Sequence, residues 1–178
     1  MIRGIAIALI LIALLAGSWT HIGPVSAQVN SNDNNIAVMD NCDPSDPNWA
    51  PTGGCALQRG TVSFAEFGSL LFSPLSGTIP VGHPSWRNEP SYVATPIGKT
   101  VRVTNWGGRA HTFTKVASFG GGFVTQLNGT LVQAQECTPA TAVILPPGGT
   151  QQINGLAVGS HNFQCCIHPW MTATIEVN

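Results

Sequence analysis

Phe163-Gln164-Cys165-Cys166-Ile167-His168-Pro169-Trp170-Met171 is the stretch on which the reading of this chain turns. Side chains along a strand alternate faces with period two. His161, Phe163 and Cys165 therefore share one face of a strand over Ser160–Cys165, and Asn162 and Gln164 share the other. Phe163 is a natural core residue, so Cys165 points inward at the end of that strand. The chain then turns, with Pro169 fixing its own φ. The turn returns His168 and Met171 over the same point. Thr172–Val177 reads as the last strand, so a thiolate, an imidazole and a thioether sit in a loop between two strands.

Working outward, the same pattern recurs from Trp86 onward. Lys99–Thr104 alternates polar and apolar, and Asn105-Trp106-Gly107-Gly108 is a turn. Ala110–Val116 is rich in Thr, Phe and Val. Ala142–Leu145 and Thr150–Ile153 flank the turn Pro146-Pro147-Gly148-Gly149. Phe119–Phe123 holds three consecutive glycines, a loop able to approach another backbone closely. Upstream, Ile36–Met39 is a candidate strand. Ser63-Phe64-Ala65-Glu66 has the capping-box form before an apolar run, and Phe64, Phe67 and Leu71 share one helical face, so a short helix is expected over 63–72. Short strands with regular turn signals predict an all-β, antiparallel sandwich.

The first 27 residues read as an export signal. Arg3 is their only charge, an apolar run follows from Ile5 to Ala16, and Val25-Ser26-Ala27 presents small residues at a cleavage-like site. An uncleaved N-terminal anchor is the other reading. Cleavage leaves a chain beginning at Gln28, expected to divide into an extension over 28–84, packed on the sandwich, and a core over 85–178. The formal charge of −1 shows no basic stripe or charge block. Nucleic acid and anionic membrane surfaces are therefore not expected as partners, and no membrane attachment is expected after cleavage.

The five cysteines are Cys42, Cys55, Cys137, Cys165 and Cys166. An odd number in an exported chain leaves one thiol to explain. Cys42 and Cys55 are expected to pair across a short Asp/Pro/Gly-rich loop, contributing on the order of 3 kcal/mol in the chain-entropy model. Cys137 has two readings, a bond to Cys166 or a buried free thiol.

The fourth candidate ligand is His111, in the strand Ala110–Val116. His111, Cys165, His168 and Met171 form a soft mixed set that suits a copper ion cycling between Cu(I) and Cu(II). The first three are expected as the close ligands and Met171 as the weak axial one. Two rival readings stand beside it: Cys165 as a plain disulfide cysteine, and a zinc site drawn from His111, Cys165, Cys166 and His168. His161 reads as a buried structural histidine, His83 as a surface histidine in a loop, and Trp86 and Trp106 as core or rim aromatics. Trp170 reads either as a shield for the metal or as a partner contact. Asn128-Gly129-Thr130 matches a glycosylation sequon.

Cys165-x-x-His168-x-x-Met171 after a strand, with His111 in Gly108-Arg109-Ala110-His111-Thr112-Phe113, resembles the cupredoxins. It is similar to the plastocyanin–azurin group, with a short ligand loop like that of amicyanin. The resemblance spans Trp86–Val177. It implies a Greek-key β-sandwich holding one copper ion and passing single electrons to transient redox partners, not an enzyme, in the periplasm or outside the cell. The edge of His168 is the expected electron port. Copper storage, delivery or tolerance is the alternative function. Two features depart from the family pattern. Thr112 follows the upstream histidine where many cupredoxins carry Asn, and Cys166 adjoins the ligand cysteine, where it is a disulfide partner, a competitor for metal, or half of a vicinal bond with Cys165.

Overall fold

The structure is a computed structural model and describes residues 34–71 and 82–178. The expected export segment lies outside the described residues, and no helix among them is long and apolar enough to cross a membrane.

Ten strands follow in order. They are β1 (Asn35–Met39), β2 (Arg87–Glu89), β3 (Tyr92–Thr95), β4 (Val101–Asn105), β5 (His111–Thr112), β6 (Thr114–Val116), β7 (Ile144–Leu145), β8 (Thr150–Ile153), β9 (Gly159–Gln164) and β10 (Thr172–Val177). One sheet runs β2-β1-β4-β8 and the other β3-β10-β9-β6, with β5 and β7 paired beside them. Alternation builds the core between the sheets. Ile36 and Val38 of β1, Val101 and Val103 of β4, and Ala173, Ile175 and Val177 of β10 are all buried and belong to one apolar cluster with Phe163. Phe113 and Phe163 stack at its centre with ring centroids 4.7 Å apart. A stacked pair of this kind contributes about 1 kcal/mol beyond its burial.

The expected all-β sandwich is present, but it is not wholly antiparallel. β1 runs parallel to β4, and β3 runs parallel to β10. Both parallel pairs join strands far apart in sequence, whose connections cross between the sheets and so need no hairpin. β1, from the segment upstream of Trp86, lies between β2 and β4 as an interior strand of the first sheet.

The single α-helix among the described residues, α1 (Phe64–Leu71), forms where the capping signal put it. The Ser63 hydroxyl accepts from the Glu66 amide at 3.1 Å, and the Asp46 carboxylate accepts from the Phe64 amide at 2.7 Å. Each side-chain cap of this type stabilises a helix by about 1 kcal/mol. Phe67 and Leu71 are buried, while Phe64 sits at the edge with its ring 5.1 Å from Trp49.

Both disulfides are formed, Cys42–Cys55 and Cys137–Cys166. The second fastens the ligand loop to the 119–137 loop. There the glycine run does what its composition implied: a Cβ on Gly122 would lie 2.0 Å from the Cys166 carbonyl oxygen. Asn128 is buried, with its side chain bonded to both the amide and the carbonyl of Gly122. The sequon asparagine is thus a structural brace, closed to a glycan in the folded chain.

Candidate metal centre

Cys165 follows directly on β9, and its amide donates to the Met171 carbonyl at 2.9 Å, while the Met171 amide donates to the His168 carbonyl at 3.0 Å. These two bonds close the seven-residue turn and bring Met171, buried, back beside the start of the loop. His111 arrives on β5, opposite Leu145 of β7. The preceding turn is fixed by Asn105, whose side-chain amide donates to the Arg109 and Leu145 carbonyls, both at 2.8 Å.

The result is a convergence of three donor atoms. Cys165 Sγ lies 3.9 Å from His111 Nδ1 and 3.8 Å from His168 Nδ1. The donor atoms of all three residues fall within 4.8 Å of one another, and all three side chains are buried. Two backbone amides point at the sulfur, Thr112 at 3.3 Å and His168 at 3.4 Å. Four of the five cysteines are locked in disulfides, which leaves Cys165 as the free thiol.

No protein-family model matches the chain, and no curated protein does. Among solved structures, the chain is similar to a purple cupredoxin from Nitrosopumilus maritimus, at TM-score 0.41 and 18% identity over 54% of this chain and 86% of that one. It is also similar to a reduced amicyanin variant (TM-score 0.36, 17% identity, 51% of this chain and 71% of that one). A Cu(I) amicyanin variant matches at TM-score 0.38 and 15% identity, over 52% of this chain and 73% of that one.

The site departs from the expectations in several places. Thr112 takes over the tie between the two ligand segments: its hydroxyl accepts from the Cys166 amide at 2.7 Å while its own amide reaches the Cys165 sulfur. Cys166, bonded to Cys137, is neither a fourth zinc ligand nor half of a vicinal bond with Cys165. That leaves a zinc ion three N/S ligands where a structural zinc site takes four.

His168 is 5% exposed, so its edge does not form the surface port expected of it. Its imidazole is covered by aromatic rings, with centroids of Trp170 at 5.6 Å, Phe67 at 6.2 Å and Trp86 at 6.5 Å. Phe67 belongs to α1, outside the region that carried the resemblance. His83 is buried, not superficial, packed against Trp86 at 5.2 Å with Nε2 3.5 Å from the Glu66 carboxylate. The loop that bears it turns inward, where Gly82 lies so close under the Trp170 ring that a Cβ would stand 2.2 Å from it. His161 keeps the inward parity, opposite Ile175, but it is half-exposed at the far end of β9, with Nε2 2.7 Å from the Ala157 carbonyl.

One residue of the site escaped the sequence reading. Asp40 is buried, and its Oδ2 lies 2.8 Å from His111 Nε2. The signal was present in strand parity: Ile36, Val38 and Asp40 alternate onto one face, so a carboxylate follows two core residues into the interior.

The electrostatics follow from these contacts. Burial opposes ionisation of the Cys165 thiol, but hydrogen bonds and charge from His111 and His168 override it and hold the group well below the ordinary thiol range. Burial alone would depress His111, but Asp40 and the Cys165 sulfur push it up to about 9. His168, fully enclosed, is shifted down chiefly by burial. Without metal, the cluster therefore favours an ionised Cys165 beside a charged His111 and a neutral His168.

Proposed function

We propose that this chain is an exported, mononuclear copper protein that carries single electrons, with His111, Cys165, His168 and Met171 holding the metal. The observation that carries the reading is the buried convergence of the free Cys165 sulfur and two imidazole nitrogens 3.8–3.9 Å from it. Met171 closes the same loop. Soft sulfur with borderline nitrogen suits both copper oxidation states. A bound copper ion would supply the reversible Cu(I)/Cu(II) couple.

The protein's part is to hold those ligands still. The Cys165–Met171 backbone bonds, the Cys137–Cys166 bond and the Thr112 hydroxyl fix the loop on both sides, so a change of one charge moves few atoms. The aromatic cover keeps bulk water from His168. Electrons then enter through that cover, and Trp170, half-exposed over His168, is its outermost ring. A short-lived redox protein partner would dock there. Enclosure of the three donors disfavours copper delivery, which needs a ligand open to an acceptor, and gives no open position for catalysis. Two disulfides fit the oxidising compartment that export would reach.

Replacing Cys165 with Ser tests the assignment. The variant is expected to lose any intense thiolate-to-copper absorption while remaining folded. A Ser variant that stays strongly coloured with Cu(II) refutes it.

A further inference from the structure

Asp40 is built into the site by more than its contact with His111. Its Oδ1 accepts from the Gly108 amide at 3.0 Å and the Cys42 amide at 3.3 Å, and its Oδ2 accepts from the Arg109 amide at 2.9 Å as well as facing His111 Nε2. Three backbone N–H groups and one imidazole nitrogen thus converge on one buried carboxylate, an environment that holds it ionised. The turn is shaped around it. A Cβ on Gly107 would stand 2.1 Å from Oδ2, and one on Gly108 would strike Cys42 Sγ and the Leu57 side chain, both at 2.7 Å. The Cys42–Cys55 bond anchors the strand end that carries Asp40. Arg109 contributes its amide, while its guanidinium turns away to the Gly54 and Thr52 carbonyls and lies over Trp49.

We propose that Asp40 is the positioning residue of His111 and biases the copper couple toward Cu(II). This rests on the copper reading above. Two consequences follow from the geometry. By accepting from Nε2–H, the carboxylate fixes the tautomer that leaves the Nδ1 lone pair facing Cys165, the arrangement in which a carboxylate orients and strengthens a metal-binding histidine. It also adds a full negative charge to the site. Cu(II) with the Cys165 thiolate and Asp40 sums to zero, whereas Cu(I) with the same groups sums to −1. In a buried site the neutral sum is favoured. A backbone carbonyl in the same place would fix the tautomer without that charge.

The test compares the reduction potential of the copper-loaded protein with that of Asp40→Asn, which keeps the shape and removes the charge. Asp43→Asn serves as a control for a carboxylate held in a local turn by Ser45. The Cu(II)-over-Cu(I) preference is expected to fall tenfold or more in Asp40→Asn, an upward shift of about 59 mV or more for one electron. In Asp43→Asn it is expected to change by less than twofold. Thiolate–copper bands in both wild type and Asp40→Asn, with preferences within twofold of each other, overturn the role of Asp40 and leave the copper reading standing. No such band in the wild type overturns the copper reading and this role together.

A second measurement needs no substitution. In the Cu(I)-loaded wild type, proton–nitrogen spectra are expected to show one far-downfield, slowly exchanging histidine Nε2–H belonging to His111. If His111 shows only a fast-exchanging ring proton, the Asp40 contact is overturned even where Asp40→Asn does not fold.

Discussion

The Cys137–Cys166 bond closes a loop of sequence separation 29 that holds the glycine-rich 119–123 segment against the ligand strand. Removing it from the metal-free protein by Cys137→Ser together with Cys166→Ser releases that constraint from the unfolded chain. The chain-entropy relation gives a loss of about 3.6 kcal/mol, against about 3 kcal/mol for the shorter Cys42–Cys55 loop. Both cysteines are fully buried in a small cluster with Val116, flanked by Phe123, Ala134 and Ala142, so the two hydroxyls add a modest further cost. Urea unfolding followed by tryptophan fluorescence reads the difference, with metal absent so that binding does not mask it. Midpoints corresponding to a loss below about 1 kcal/mol would contradict loop closure as the source of this stabilisation. The single variant Cys137→Ser separates stability from ligand chemistry. It frees the Cys166 thiol next to Cys165, so its copper spectrum is expected to become heterogeneous, while the double variant keeps one species. Identical spectra from the two would show that Cys166 cannot reach the metal even when released.

Further outcomes follow from the same contacts. Met171→Leu is expected to retain copper and raise the reduction potential, since a weak sulfur donor to Cu(II) is replaced by hydrocarbon; voltammetry checks the direction. Gly122→Ala places a methyl 2.0 Å from the Cys166 carbonyl and is expected to cost about 1–3 kcal/mol by urea unfolding, with a disturbed copper spectrum. The metal-free protein is expected to show a stability plateau between about pH 6.5 and 9. His111, raised from 6.5 to about 9, contributes stability that is full below 6.5 and lost as pH rises through 9. Cys165, depressed from 9.0, contributes stability that is full above 9.0 and lost as pH falls toward its folded value. Between 6.5 and 9 the two contributions oppose each other, because the folded chain holds a proton on His111 that the unfolded chain sheds while the unfolded chain holds one on the thiol, so the slope is small. Below 6.5 His111 is charged in both states and no longer offsets the thiol, and the unfolded chain also protonates His168, which the fold shifts down, so the unfolded chain binds more protons and stability falls. Melting temperatures across pH 5–9.5 check this, and a steep slope from 7 to 8.5 contradicts it.

The parts of this molecule legible in the sequence were those encoded locally. Strand parity placed Phe163 and Cys165 inward, the S-x-x-E signal placed α1, and the glycine run marked a close backbone approach, whose partner in the fold is Cys166. What the sequence could not show depends on partners far along the chain. Alternation within Ile36–Met39 gives a strand but not its parallel neighbour β4, because pairing direction is set by connections across the sandwich. The burial of His168 depends on Phe67, Trp86 and Trp170 meeting above it, and that of His83 on an inward-turning loop. Asp40 stands between these cases: its inward parity was readable, but its partner lay 71 residues away.

The most direct measurement of the central claim is a visible absorption spectrum of Cu(II)-loaded Gln28–Asn178, recorded before and after a mild reductant. An intense thiolate-to-copper band is expected at one copper per chain, bleaching on reduction and returning on oxidation. A folded protein with Cys165 reduced and no such band would contradict it.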